Sequence, residues 1–365
     1  VVRWPVGGIR TFLRYVLNEL PPNRFSFSIV AVETEGMKAL REELSERLAT
    51  IVTVPPDGAE GKNMLLASLK LVKSQSFDLI HAHGFTSNII ATLPSILSRK
   101  PLLCTSHDVI NDAQFKGRKG WFKKAVLRFS LGRCAAVHSV SSDAQSNLRD
   151  FFPGLPTEKT VVIYNGIKSD CFVSASPQNL NETLDLDPEV PVIGFFGRFM
   201  GQKGFRVLVD AIEIIKKDGL MQNVHVACFG SGAFIREEQI DIDRRGLGAS
   251  FSFIPFTADV SGMMKGCRVI AMPSLWEACP LQPMEALSAG VPFVGTNCLG
   301  LREVLQDTPA KVVPVCDAEA LANAIAELVA DGDLEFKRFA PLAAERFDIS
   351  RTIAEIEALY TKVTQ

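Results

Sequence analysis

RVIAMPSLWEACPLQPMEALSAGVPFVGTN, residues 268–297, reads as one strand–helix–strand unit. RVIAMPS and PFVGTN are short, continuously apolar runs, the pattern of strands buried on both faces. Between them, Pro280 and Pro283 suit the first turn of a helix, where proline's missing N–H costs nothing. Gly290 suits the C-terminal cap and Pro292 the stop beyond it. Leu275 to Cys279 then form the loop at a strand's carboxyl end. Glu277 sits in that loop, and Glu285 lies eight positions on, upon the helix. The amides near Cys279 to Gln282 and the two carboxylates together offer an anion-friendly helix start beside two acceptors for hydroxyl groups. The plainer reading is that both glutamates complement the helix dipole.

Outward from this unit the same cycle fills the chain. Ile9, Phe12, Leu13, Val16, Leu17 and Leu20 recur at one-face helical spacing until Pro21-Pro22 ends the helix. FSFSIVAV reads as a strand, KALREELSERL as a helix and TIVTV as a strand. FDLIHAH, PLLCTSH and AAVHSVS follow as further strands. The second half repeats the pattern with PVIGFFG, the helix FRVLVDAIEIIKK, VHVACFG and FSFIPF. Apolar strands alternating with helices mean parallel sheets covered on both faces, and two such runs mean an α/β protein of two doubly wound domains. The expected division is a first domain over 1–167, a polar and aperiodic linker over 168–190, and a second domain over 191–347. A final helix, 348–365, carries an apolar stripe of Ile353, Ile356 and Tyr360 and is expected to pack back toward the first domain. Only VVRW precedes the Gly7-Gly8 turn, so the first strand is expected to be very short or truncated.

Composition narrows the function classes. The 365 residues are 47% hydrophobic and 22% charged with a net charge of -2, which fits a globular protein with two cores. A near-neutral balance argues against nucleic acid, whose backbone demands a basic footprint. No apolar run reaches the roughly 20 residues that span a bilayer, and VVRWPVGGIR lacks the charged start and apolar middle of a secretion signal. The eight cysteines are scattered, without CxxC pairs or metal-ligand spacing to histidine. They are expected to be small buried residues in a reducing cytoplasm.

Open parallel sheets bind ligands beyond the carboxyl ends of their strands, so the residues there carry the candidate chemistry. Gly7-Gly8 directly precedes a helix and offers bare backbone and free N–H groups to an anion; a plain tight turn is the alternative. FDLIHAHGF and LLCTSHDV end on His81, His83 and His107. His81 and His83 share one strand face, and His83, nearer the rim, is expected to see ligand. GFFGRFMGQKGF delivers Arg198 and then Lys203 beside a helix start. That pair can neutralise a diphosphate, the arginine as a fork and the lysine as a point charge; a solvated basic pair is the alternative. Gly230 and Gly232 in VHVACFGSG permit close approach of a flat ring or ribose, although no GxGxxG is present. FKGRKGWFKKAVLRFSLGR, 115–133, is locally basic and interleaved with Phe115, Trp121 and Phe122. A solvated amphipathic helix is the plainer reading, and peripheral contact with an anionic membrane face is the functional one.

These residues resemble the retaining glycosyltransferases of family 4, over nearly the whole chain. Glu277 and Glu285 match that family's E-x7-E signature, followed here by EALSAGVP. Arg198 and Lys203 match its diphosphate-binding pair, Gly7-Gly8 its N-domain phosphate loop, and His107 a histidine near the reacting sugar. The resemblance implies a GT-B fold: two facing Rossmann-like domains with an interdomain cleft. It implies a nucleotide-diphosphate sugar as co-substrate, UDP being favoured by family frequency. The acceptor would be a hydroxyl of a glycan or lipid-linked molecule, as in bacterial surface polysaccharide or glycolipid assembly, with neither metal nor cofactor. The implied catalytic residues are His107, Glu277, Arg198 and Lys203. Donor contacts would add Gly7, Gly8, Gly230, Gly232, Cys279, Pro280, Leu281 and Glu285, while His83 and Arg10 would face the acceptor and sugar. The protein would be cytoplasmic, with possible attachment at the inner membrane face. Cys279-Pro280 stands where the family commonly has Phe-Gly, which reshapes the wall around the donor sugar, and Lys168 stands where Asp often follows NGI. A nucleotide-sugar epimerase or phosphorylase on the same fold, and a non-catalytic binding homologue, are the rival readings.

Overall fold

The computed structural model describes residues 1–44, 48–254 and 259–365, with the backbone alone at 48 and 49. The chain divides into two units, one of residues 1–166 with 349–365 and one of residues 167–348.

In the first unit, β1 (Phe27–Val32) pairs with β2 (Leu48–Val54), and β3 (Ile80–His83), β4 (Leu102–Ser106), β5 (Ala136–Ser139) and β6 (Thr160–Val162) form a ladder in that order, all parallel. Val2 joins the two groups. It bridges Ala31 of β1 and His83 of β3, its amide donating to Val30 (3.0 Å) while the His83 amide donates to the Val1 carbonyl (2.9 Å). Within the given residues the strand expected to be very short or truncated is the bridging residue Val2, and Pro5, which has no N–H to continue a ladder, follows it. Every residue of β4 and β5 is buried, as a strand covered on both faces requires. Leu102 and Cys104 meet Leu127 and Leu131 of the helix Gly117–Arg133 on one side. Leu103 meets Phe12 and Val16 of the helix Gly8–Glu19 on the other. Ile356, Leu359 and Tyr360 of the terminal helix Ile349–Thr364 join that second layer.

The second unit holds β7 (Val192–Phe196), β8 (His225–Phe229), β9 (Phe251–Ile254), β10 (Val269–Met272), β11 (Phe293–Thr296) and β12 (Lys311–Val313) in one parallel sheet, ordered β12-β11-β10-β7-β8-β9. Residues 168–190, expected to link the domains, belong to this unit. They carry the short helices Ser169–Val173 and Leu180–Thr183, bury Phe172 and Leu180, and bond to the rest of the unit through Gln178 N–H to Gly262 (3.0 Å) and Lys265 Nζ to the Val173 carbonyl (2.6 Å). Two anchors eight positions apart in a polar stretch show no period, which is why the sequence reads as a linker.

Smaller differences concern ends. The helix of the quoted stretch is Gln282–Ser288, so Pro283 lies in its first turn while Pro280 precedes the cap. It closes as expected at Gly290 (φ 72°), with Gly290 N–H on Leu287 (3.1 Å) and Val291 N–H on Ala286 (3.0 Å), a Schellman pair. Pro255 and Phe256 of FSFIPF, and Ser45 to Arg47 of KALREELSERL, lie outside the described residues. Six cysteines are buried as expected, whereas Cys171 and Cys316 are exposed.

Candidate active site

In the second unit β7 and β10 are neighbours, and the sheet grows from them in opposite directions. Loops leaving such a pair diverge and open a binding crevice at the strands' carboxyl ends. Here the two loops are also tied together. The Leu275 amide donates to the Gln202 carbonyl (2.8 Å), and the Gln202 side-chain amide donates to the Trp276 carbonyl (2.8 Å). Lys203 Nζ lies 2.6 Å from Glu277 Oε1, and the Ser274 hydroxyl donates to the same oxygen at 2.7 Å. Glu277 is only 7% exposed, and its own amide is held by the Leu299 carbonyl (3.0 Å). A buried carboxylate needs such partners, because desolvation otherwise costs several kcal/mol. Arg198, by contrast, is exposed and has no ion-pair partner among the described residues. One cation is thus held in the rim and one left open beside it. The expected pairing of Arg198 with Lys203 differs in this respect: Lys203 already shares a charge with Glu277.

Glu285 sits half-buried on the helix Gln282–Ser288, with Cys279 and Pro280 buried and Leu281 partly so. Gly230 and Gly232 have a packing role beside the one expected. A Cβ on Gly230 (φ 145°) would lie 1.9 Å from the Gly197 carbonyl oxygen, and one on Gly232 2.5 Å from that of Phe199. The loop after β7 lies where a Cβ on either glycine would stand, with Phe199 N–H bonded to the Ser231 carbonyl (3.0 Å). These glycines let two strand-end loops touch.

At the first unit's rim, Gly7 (φ 55°) caps the helix Gly8–Glu19 without a side-chain partner, and both glycines are exposed with open space where a Cβ would stand. The first N–H groups of that helix therefore point into free space with their partial positive charge. Arg10 lies 3.6 Å from Glu43, so part of its charge is countered within the first unit.

Four of the five histidines gather behind this rim. His138 Nε2 lies 2.9 Å from the Ile163 carbonyl, which can only accept, so that nitrogen carries the proton. Its Nδ1 must then accept from the Thr105 hydroxyl (3.0 Å). Thr105 in turn accepts from His81 Nε2–H (2.7 Å), and His81 Nδ1 accepts from the Tyr360 hydroxyl (2.9 Å). One carbonyl thus fixes the tautomers of a chain running from β5 to the terminal helix. Burial keeps the rings neutral: it holds His138 down to about 4 and His107 to about 3, and pushes His81 and His83 well below the usual range. His83 Nδ1 lies 3.0 Å from His107 Nε2, and Phe12 packs on both rings. His83 is buried and His107 more open. His83, expected to meet ligand, instead stands behind His107.

Thr105, His138, Tyr360, Ser274 and Gln202 were missed by sequence reasoning. Only the recurrence of His at strand ends pointed toward the first three, and no local signal marks the other two.

The model for Glycosyltransferase Family 4 matches residues 6–170, and that for Glycosyl transferases group 1 matches residues 190–331. The solved structure of Anabaena HepE in complex with UDP-glucose superposes with a TM-score of 0.85 at 21% identity, covering 99% of this chain and 98% of that one. The chain is a GT-B glycosyltransferase. Among curated relatives, this glycosyltransferase is 25% identical over 350 residues to alpha-maltose-1-phosphate synthase of Mycolicibacterium smegmatis (86% of this chain, 89% of the relative). It is 23% identical over 358 residues to the UDP-Gal:alpha-D-GlcNAc-diphosphoundecaprenol alpha-1,3-galactosyltransferase of Escherichia coli (93% of this chain, 90% of the relative). Among its described residues no helix is long and apolar enough to cross a membrane, and no three His, Cys, Asp or Glu side chains are grouped to hold a metal ion.

Proposed function

We propose that this glycosyltransferase moves a sugar from a UDP-sugar to a hydroxyl of a glycan or lipid-linked acceptor, with retention at the anomeric carbon. The observation that carries the reading is the β7–β10 rim: a buried Lys203–Glu277 pair at 2.6 Å with Arg198 open beside it. Relatives support the donor class and acceptor, since one is a UDP-Gal transferase acting on a diphosphoundecaprenol-linked sugar and the Anabaena HepE structure holds UDP-glucose.

In this reading the bond between the anomeric carbon and the β-phosphate oxygen breaks, and its electron pair leaves with UDP. Arg198 stabilises the growing negative charge by a fork of N–H donors. Lys203 has three N–H groups, and spending one on Glu277 leaves two for phosphate. These cations take the place that a divalent metal fills in other sugar transferases. Glu277, held still by Lys203 and Ser274, accepts hydrogen bonds from hydroxyls of the donor sugar, and Glu285 accepts them from the ribose. In the first unit, the open amides after Gly8 offer partial positive charge to an anion. His107 contacts the sugar or the approaching acceptor, and His83 supports its ring from 3.0 Å behind. The acceptor hydroxyl attacks from the face that the phosphate leaves, passing its proton to the departing phosphate oxygen, so configuration is kept.

The test is incubation with UDP-hexoses and a panel of lipid-linked and glycan acceptors. NMR of the product should show an anomeric coupling matching that of the donor, with free UDP released. An inverted product would sink the retaining mechanism, and an isomerised UDP-sugar without acceptor would make the protein an epimerase.

A further inference from the structure

We propose that Trp4 is the stacking platform for a pyranose ring of the acceptor, so that the group receiving the sugar is itself a carbohydrate. The inference rests on the transfer reading above, which gives the β7–β10 rim to the donor and leaves the second substrate to the first unit. That unit has a switch point of its own. From Val2 the chain runs through the helix Gly8–Glu19 to β1 on one side, whereas β3, bridged to the other side of Val2, runs on to β4 away from it. The loops that follow Val2 and β3 therefore diverge at the carboxyl ends and open a crevice there. The loop after Val2 is Arg3 to Gly7, and the large side chain it exposes is Trp4, at 48%.

Single exposed apolar side chains are ordinary; the mounting of this one is not. The Arg3 guanidinium lies over the indole, 4.2 Å from the ring centroid, and is held 3.5 Å from Glu60 of the helix Glu60–Ser74. One face of the ring is thus covered by a tethered cation, while about half of the side chain stays open. The backbone around it is fixed as well. Arg3 N–H donates to Ser87 Oγ (3.0 Å), the Arg3 carbonyl accepts from Val32 N–H (3.2 Å), and the Trp4 carbonyl accepts from Val6 N–H (3.0 Å). Pro5 follows with a locked φ, and its carbonyl oxygen would lie 2.4 Å from a Cβ on Gly36. Little freedom remains to be lost when a ligand covers the ring.

Chemistry selects that ligand. The face of an aromatic ring carries partial negative charge, and the axial C–H groups of a pyranose, polarised by their oxygens, offer it a flat patch of partial positive charge. A cationic ligand would also seek an aromatic face, but Arg3 already holds that place and repels a second cation. An anionic ligand would seek Arg3 rather than the indole, and Glu60 counters that charge. A neutral ring with one apolar face fits what is left.

The experiment is saturation-transfer-difference NMR of the full chain with the methyl pyranosides of glucose, galactose, mannose and N-acetylglucosamine, with sorbitol as an open-chain control. At least one pyranoside should receive saturation, strongest at its axial ring protons, and sorbitol should receive none. Truncating an aromatic anchor weakens binding about tenfold or more, so W4A should lose the transfer, while W4F keeps a flat ring and should retain it. W4L, which keeps bulk without a flat ring, carries the test if W4A unfolds. With the glycan acceptor that the assay above turns over, W4A should raise KM about tenfold at unchanged kcat, the mark of lost uniform binding. Transfer undiminished in W4A and W4L, equal transfer to sorbitol, or no transfer to any pyranoside overturns the proposal. So does weakened UDP affinity in W4A by calorimetry, which would assign the indole to the nucleotide's base. Failure of the wild type to bind UDP would sink the transfer reading instead, and pyranoside binding that depends on Trp4 would still support the platform.

Discussion

Replacing Lys203 by Met removes the cation that lies 2.6 Å from Glu277, a carboxylate only 7% exposed. Glu277 keeps the Ser274 hydroxyl and loses its counter-charge, and orphaning one member of a buried pair costs about 3–5 kcal/mol. The lower figure applies, because Lys203 itself is 18% exposed and sits at a rim. A loss of about 3 kcal/mol lowers the unfolding midpoint by about 6–12 °C in a unit of this size. Lys203→Met combined with Glu277→Gln should recover about 2 kcal/mol, since the amide no longer needs a cation and can still accept from Ser274. The activity readout should separate from the stability readout. UDP release from a UDP-sugar should stay at least a hundredfold down in both variants, because removing one good charge donor costs about 3 kcal/mol of transition-state stabilisation. Differential scanning calorimetry and a coupled UDP assay measure the two. Additive midpoint losses in the double variant, or wild-type turnover in it, would refute the reasoning.

Three further outcomes are expected. The buried neutral histidines bind no proton in the folded state until far below the pH at which the unfolded chain binds one. Stability should therefore be full above about pH 6.5 and fall as pH drops toward about 3–4, by about 1.4 kcal/mol per pH unit for each histidine in its window; a midpoint flat from pH 7 to pH 5 would show that His107 and His138 titrate normally. Gly8→Ala meets no atom within 4 Å and needs no unusual φ, so thermal stability should hold while UDP-sugar turnover falls, and unchanged turnover would remove this loop from the anion site. Gly230→Ala places a Cβ 1.9 Å from the Gly197 carbonyl, so it should lower the unfolding midpoint with or without UDP; a midpoint equal to wild type would show that the two loops do not touch there.

Much of the architecture was legible because parallel strands buried on both faces must be continuous apolar runs, and PVIGFFG, VHVACFG and RVIAMPS admit little else. Glu277 and Lys203 were legible as rim residues since each follows such a run. Their direct pairing across 74 positions of chain was not, for it depends on β7 and β10 being neighbours. The segment 168–190 misled because isolated anchors such as Phe172 and Leu180 leave no period. His83 misled in a subtler way. Alternation gives the face of a strand but not what covers it, and the covering residue here, His107, comes from the next strand. Gly230 shows the same limit: a glycine after a strand signals close approach, and the sequence does not say whether ligand or backbone approaches. The exposed Trp121, Phe122 and Phe129 of the helix Gly117–Arg133 appear as part of a mixed segment in sequence, and only the burial of Leu127 and Leu131 reveals that they face away from the core.

Calorimetric titration of UDP into the wild-type protein and into Arg198→Ala tests the central claim most directly. Arg198 is exposed and partnerless among the described residues, so its removal should leave the unfolding midpoint unchanged. Losing a charge-assisted contact to phosphate, worth about 1.5–3 kcal/mol, should weaken UDP binding about tenfold to a hundredfold. Equal affinity in the two proteins would contradict the assignment of the β7–β10 rim as the diphosphate site.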